Sequence, residues 1–382
     1  MMNTVQAVFN AFYHNYAADH CLSDQQQKAA RAIMNCHTET MGANFSVCEE
    51  CGHQSVHYNS CRNRHCPSCQ GVNRAVWADA RCGDTINSPY FHVVLTVPEQ
   101  LRMVIYQNKE LLYGLMYKAS AETVFALASD KKFLGAKTGF FSVLHTWGQN
   151  LHYHPHIHIA LVGGGLTDDG RWRSSGKKFF IPVKVMAKLF RGKFLASLKS
   201  LFYDRQLEFF GQTGELEDPE AFESFLAKLY STDWYTYTKR AFSGPRAVVK
   251  YLARYTHRIA ISNNRIVAIG DDTVSFNVRG RDSSGGTDVM VLDGIEFVRR
   301  FLMHVLPCGF VKIRYYGVLA VRYRKTLLVL CQKLTRTVLC EPKLKGLKPA
   351  EVVYVLFGID VSLCPCCKSG KLVPLNGIRG SP

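Results

Sequence analysis

The sequence is short of acidic residues. It carries 30 Asp and Glu against 47 Lys and Arg, a formal net charge of +17. A surplus of that size argues against an acidic or self-contained polar surface. It points to a polyanionic partner, nucleic acid first and a membrane surface second. No apolar run reaches the roughly 18 residues that a spanning helix needs. Met1-Met2-Asn3-Thr4 offers no basic region ahead of an apolar stretch, so a secretory leader is not expected and a cytoplasmic location is. There is no Gly-x-Ser-x-Gly elbow and no P-loop, which removes the commonest serine hydrolase and nucleotide-binding signatures. No internal repeat is visible. Apolar content of 47% and charged content of 20% describe an ordinary globular protein, and 382 residues suffice for two or three domains.

Cysteine, by contrast, is plentiful. In a reducing compartment, 14 cysteines that cluster read as metal ligands rather than disulfides. Cys48-Glu49-Glu50-Cys51 and Cys66-Pro67-Ser68-Cys69 form C-x2-C, fourteen residues, C-x2-C. Two such knuckles complete a tetrahedral four-thiolate zinc site, with Cys61, His65, His53 and His57 able to replace a ligand or support a second ion. Unrelated cysteines are the alternative. Cys364-Pro365-Cys366-Cys367 is a third C-x2-C without an evident partner: half of a second site, or a turn. Cys21, Cys36, Cys82, Cys308, Cys331 and Cys340 read as small core residues. Arg62, Arg64 and Arg74 surround the knuckles and suit phosphate contacts; a solvated basic surface would look the same.

Histidine shows the sharpest pattern. His152, His154, His156 and His158 alternate ahead of Ile159-Ala160-Leu161-Val162 and three glycines. Alternation is the strand period, so the four leave one face of one strand. Neighbours in the row are about 6.6 Å apart and can share an ion, whereas members two steps apart, at about 13 Å, cannot. The strand therefore supplies two ligands and another element the rest. A polar strand face open to water is the alternative.

A metal strand in a basic protein suggests phosphodiester chemistry, which needs a nucleophile. Tyr251 and Tyr255 stand four residues apart on one face of a predicted helix, beside Lys250, Arg254, His257 and Arg258, cations that favour a phenolate and hold a phosphate. Tyr113 and Tyr117 share the spacing, but their neighbours Leu112, Leu115 and Met116 suggest core packing.

Elsewhere the patterning predicts helices in 1–35, 99–130, 183–211, 219–230, 244–255 and 294–305. It predicts strands in 91–98, 140–147, 156–162, 258–262, 265–269, 273–279, 288–292 and 310–316, and a mobile tail from 368. Residues 36–82, poor in aliphatic side chains, need a staple.

His154-Pro155-His156-Ile157-His158, followed downstream by Tyr251-Leu252-Ala253-Arg254-Tyr255, resembles the HUH-type rolling-circle transposases of the insertion sequence ninety-one family. So do Cys48-x2-Cys51-Gly52 with Cys61-Arg62-Asn63-Arg64-His65-Cys66-Pro67-x-Cys69, the stretch His92–Pro98, Arg258–Ser262, Phe301–Pro307, and Arg314-Tyr315-Tyr316-Gly317. The resemblance implies an α+β fold: an HUH core of central antiparallel sheet and flanking helices, its histidine strand in the middle, plus an N-terminal zinc-ribbon-like module. It implies a helical segment at 1–35, the zinc module at 36–85, the catalytic domain at 90–320 and a C-terminal region at 321–382. It implies Mg²⁺ or Mn²⁺ on His156, His158 and a third ligand, for which His154 and His257 are the candidates. Structural Zn²⁺ falls to Cys48, Cys51, Cys66 and Cys69, with Cys61 and His65 as substitutes. Tyr251 or Tyr255 would attack single-stranded DNA, leaving a 5′-phosphotyrosine and a free 3′-OH, while Arg62, Arg64, Lys250, Arg254 and Arg258 hold the strand. The partners implied are the single-stranded ends of the protein's own element, target DNA and host replication proteins, with the protein on the bacterial nucleoid when bound. A replication initiator or relaxase would share the chemistry. A non-catalytic zinc-dependent DNA-binding protein would share only the charge and the cysteines.

Overall fold

The computed structural model describes residues 3–175, 181–240, 260–280 and 286–375. The chain opens with α1 (Val5–Asp19), capped by the Thr4 hydroxyl, and α2 (Asp24–Asn35), capped by a reciprocal Ser23/Gln26 box. A cysteine-rich stretch follows with β1 (Ala43–Cys48), β2 (Gln54–Tyr58) and α3 (Gln70–Cys82). The middle supplies β3 (Tyr90–Thr96), α4 (Leu101–Gln107), α5 (Lys109–Ser129), β4 (Lys137–Trp147), β5 (Tyr153–Leu166), β6 (Trp172–Ser174), α6 (Val183–Tyr203), α7 (Pro219–Ser231) and β7 (Thr236–Arg240). Three short strands, β8 (Ile266–Ile269), β9 (Thr273–Arg279) and β10 (Thr287–Asp293), lead into α8 (Gly294–Met303) and β11 (Ile313–Gly317). The last elements are α9 (Leu327–Leu334), α10 (Pro349–Phe357) and β12 (Leu372–Pro374).

The main sheet has the order β11-β4-β5-β3-β7, with β6 added to the far end of β5, and every pairing is antiparallel. The histidine strand is thus the middle strand. One face of the sheet turns Phe91, Val93, Leu95, Phe140, Leu144, Ile157, Ile159 and Leu161 into a core shared with α5 and α6. On the other face Tyr90, Phe141, Val143, Ala160 and Val162 lie under Leu328 and Cys331 of α9. A strand covered on both faces reads as an unbroken apolar run, as 159–162 does. Toward the His154–His158 end that second face carries polar side chains, beginning with His92 opposite Ala160. The N-terminal helices belong to the main core: Phe9 of α1 meets Phe301 of α8 edge-to-face, ring centroids 5.1 Å apart.

Several expectations change. The helix at 99–130 is two helices, broken at Asn108, whose amide donates to the carbonyls of Val104 and Glu208. A side chain that bonds backbone in this way competes with the helix. The helix from 183 ends at Tyr203 and is followed by a 3-10 turn at Gly211–Glu217. Residues 260–262 form no strand, because Ala260 takes a positive φ of 51°. The tail is tied down as far as 375, because β12 pairs with β1. The helix expected over 244–255 lies outside the described residues.

Candidate metal centres

Among the described residues, three groups of side chains gather in the manner of metal ligands: His145, His156 and His158; Cys36, Cys61, Cys66 and Cys69; and Cys48, Cys51, Cys364 and Cys367. Within each group the ligand atoms all lie within 4.8 Å of one another.

The histidine group is a product of register. β5 pairs with β4 so that His145 stands opposite His156, while His158 stands opposite Val143 on β4 and Val94 on β3. Directly opposed residues share a face, so His145 joins the row. Its ring centroid lies 4.1 Å from that of His158 and 5.4 Å from that of His156. His156 donates its Nδ1–H to the carbonyl of His154 at 2.6 Å, which leaves Nε2 with the lone pair. His158 Nδ1 and His92 Nε2 share a hydrogen bond of 2.7 Å. A second hydrogen bond of this kind fixes ring orientation and tautomer in metal sites. Burial holds these rings neutral. The His156 imidazole is pushed down to about 3, by desolvation first and the neighbouring His154 second. Desolvation carries His158 well below the usual range and His92 down to about 4. Neutral imidazole is the form that binds a cation. Three nitrogen donors suit a first-row transition ion better than oxygen-loving Mg²⁺, so of the two expected ions Mn²⁺ fits better.

The third imidazole of the group is that of His145, which the sequence pattern places in a strand without marking it as a ligand. His154 stands outside the group: its Nδ1 faces the Arg102 guanidinium at 3.2 Å. His152 precedes the strand and is exposed, in a groove with Glu99, Arg102, Arg299 and Arg300. Tyr251, Tyr255, His257, Lys250, Arg254 and Arg258 lie outside the described residues.

The cysteines are grouped differently from the expected Cys48, Cys51, Cys66, Cys69 set. The structure brings Cys66 and Cys69 to Cys61 and Cys36, not to Cys48 and Cys51. Sγ distances from Cys69 are 3.4 Å to Cys36 and 3.6 Å to Cys61. Zinc–sulfur bonds of about 2.3 Å in a tetrahedron place sulfurs about 3.8 Å apart, whereas a disulfide needs about 2.05 Å. The sulfurs share protons: hydrogen bonds from Cys61 and Cys66 hold the Cys69 thiol down to about 2, and the same contacts push Cys66 up. A dication takes the place of such protons. Cys36, read as a core residue, is the missing fourth sulfur; it sits just past α2, too far upstream to belong to any C-x2-C. His65 is no substitute. It is buried, donates Nδ1–H to Asn63 and accepts the Leu306 N–H at Nε2, 3.1 Å away. Of the other supposed core cysteines only Cys331 is buried, while Cys21 and Cys308 are exposed. Arg62 is exposed, and Arg64 donates to the Phe310 carbonyl at 2.8 Å.

Two family models match the chain: a transposase zinc-binding domain over residues 8–97 and a putative transposase over residues 139–326. The putative transposase y4qJ of Sinorhizobium fredii is 42% identical over 386 residues, spanning 99% of this chain and 97% of the relative. The chain belongs to the insertion sequence ninety-one family of transposases. The transposase for insertion sequence element IS801 of Pseudomonas savastanoi pv. phaseolicola is 24% identical over 307 residues, covering 79% of this transposase and 72% of that one. No solved structure matches it. The zinc-binding match encloses Cys36, Cys61, Cys66 and Cys69, and together with their geometry it supports structural zinc in this transposase. The second match encloses His145, His156 and His158. No helix among its described residues is long and apolar enough to cross a membrane.

Proposed function

We propose that this transposase cuts and rejoins single-stranded DNA at the ends of its element through a 5′-phosphotyrosine, in rolling-circle transposition. The observation that carries the reading is the three-imidazole cluster of His145, His156 and His158 on the middle strands of the sheet. His145, His156 and His158 hold a Mn²⁺ or Mg²⁺ ion, which supplies Lewis acidity at the scissile phosphate. The oxygen of Tyr251 or Tyr255 bonds to phosphorus, the bond to the 3′-oxygen breaks, and that oxygen leaves as a 3′-OH, which host replication proteins can extend. The phosphotyrosine keeps the ester, so the reverse attack by a second 3′-OH rejoins strands without ATP. Lys250, Arg254 and Arg258 neutralise the phosphate near the tyrosines, and Arg62 and Arg64 in the zinc module of 36–85 hold DNA further out. Tyr237 on the edge strand β7 and Tyr235 just before it are well exposed, and Tyr237 lies beside His92, ring centroids 6.5 Å apart. Exposed rings next to the ion are suitable platforms for unpaired bases.

The test is an oligonucleotide carrying one end of the element, incubated with full-length protein and Mn²⁺ or Mg²⁺. A denaturation-resistant protein–DNA adduct is expected, and Tyr251→Phe/Tyr255→Phe should abolish it. No adduct with wild type, or an adduct that survives the double substitution, overturns the reading.

A further inference from the structure

The third C-x2-C is the feature that the transposase chemistry leaves unused. Its partner is Cys48-x2-Cys51, which the expected zinc site had claimed. Cys48 Sγ lies 3.6 Å from that of Cys367, and Cys51 Sγ lies 3.7 Å from that of Cys364 across 313 residues of sequence. Both distances sit at the tetrahedral edge length of about 3.8 Å, far from a disulfide. The two knuckles also share one turn. Gly52 follows Cys51 with φ 69° and donates its N–H to the Cys48 carbonyl at 3.1 Å; Lys368 follows Cys367 with φ 60° and donates to the Cys364 carbonyl at 3.0 Å. A positive φ strains Lys368, and Gly52 adopts it freely. In the C-terminal knuckle, backbone N–H groups of Cys366 and Gly370 point at the sulfurs of Cys364 and Cys367, at 3.4 and 3.3 Å. A Cβ on Gly370 would lie 2.5 Å from Cys48 Sγ, so only glycine lets the knuckles close.

We infer that Cys48, Cys51, Cys364 and Cys367 hold a second zinc ion, which clips the C-terminal end of the chain onto its N-terminal module. β12 then completes the β12-β1-β2 sheet, with Cys48 opposite Leu372. Among the described residues, little apolar burial holds this end beyond Val352 and Leu344. Phe357 is 68% exposed and Val361 51%, and the ribbon strands bury scarcely any apolar surface. Small units without a core depend on a metal for their fold.

Native mass spectrometry of the full-length chain should find two zinc ions, and Cys364→Ser/Cys367→Ser should leave one. The same variant should be cut by a protease between α10 and β12, where wild type resists. A second measurement needs only wild type. Cys51 and Cys366 are both exposed, so an alkylating reagent should label Cys366 at once but reach Cys51 and Cys367 only after a chelator is added. One zinc in wild type, two in the double variant, or Cys51 labelled as fast as Cys366 overturns the clip.

Discussion

The three imidazoles are held in different ways, and their substitutions should differ accordingly. His156 is locked through its Nδ1 to its own strand, His158 through His92, and His145 comes from the neighbouring strand. Replacing any of the three by Ala should abolish the DNA adduct at ordinary Mn²⁺ concentrations. His92→Ala should leave all three nitrogens in place yet raise the Mn²⁺ requirement about 10–100-fold, the usual cost of a lost supporting hydrogen bond. A metal titration of adduct formation separates the two cases: a requirement unchanged in His92→Ala would remove His92 from the site. His154→Ala should cost far less than His156→Ala. Tyr237→Ala should weaken single-strand binding by about 1–3 kcal/mol, the worth of one base–ring stack, and anisotropy with a fluorescent oligonucleotide reads it. At this scale the sequence was partly legible. Alternation in one strand exposed His156 and His158, because period two needs no partner. It could not expose His145, whose membership depends on the register of β4 against β5. Nor could it pair cysteines 313 residues apart: counting the spacing between knuckles favoured the nearest C-x2-C over the right one.

Elements carry the next level of the argument. The elements around the main core were readable because their apolar periods are local, whereas β1, β2, β6, β7, β12, α3, α9 and α10 were not: β7, for one, is an edge strand whose exposed Tyr237 gives no buried stripe. α1 docks on α8 through Phe9 and Phe301, both fully buried. Phe301→Ala should cost about 3–5 kcal/mol of stability, measured by denaturant titration, since a cavity of that size does not collapse. At the end of α8, His304 is buried; its Nε2–H donates to the Leu151 carbonyl at 3.0 Å and its Nδ1 accepts from the Thr146 hydroxyl at 3.1 Å. Desolvation, against a small opposing contribution from the Leu151 carbonyl, pushes it from 6.5 down to about 3. The unfolded chain then takes up a proton that the folded chain refuses. Stability from this residue is therefore complete above about pH 6.5 and falls away as pH drops toward about 3. Thermal melts across that window should show the loss, and His304→Gln should make it shallower, the other buried histidines keeping the rest; an equal slope in both proteins would refute the assignment.

For the whole molecule the excess of 17 positive charges sets how DNA is held. Binding of a single strand should weaken with salt, the slope of log K against log salt being about −0.7 per phosphate contact. Removing Arg62 should reduce that slope by about one contact without changing which sequence is preferred, because phosphate contacts carry no base information. Salt titrations of wild type and Arg62→Ala decide this, and a shifted sequence preference would mean that Arg62 reads bases.

The ribbon has a consequence during synthesis. Its first knuckle leaves the ribosome early, and its second follows 313 residues later. At about 5–20 residues per second, Cys51 waits roughly 15–60 s for Cys364. The Cys36, Cys61, Cys66, Cys69 cluster has no such delay. One half of the N-terminal module can therefore mature while the catalytic sheet is still being made, and the other half closes only on a nearly finished chain. A product that ends before Cys364 therefore keeps Cys48 and Cys51 without the two sulfurs that face them in the complete chain.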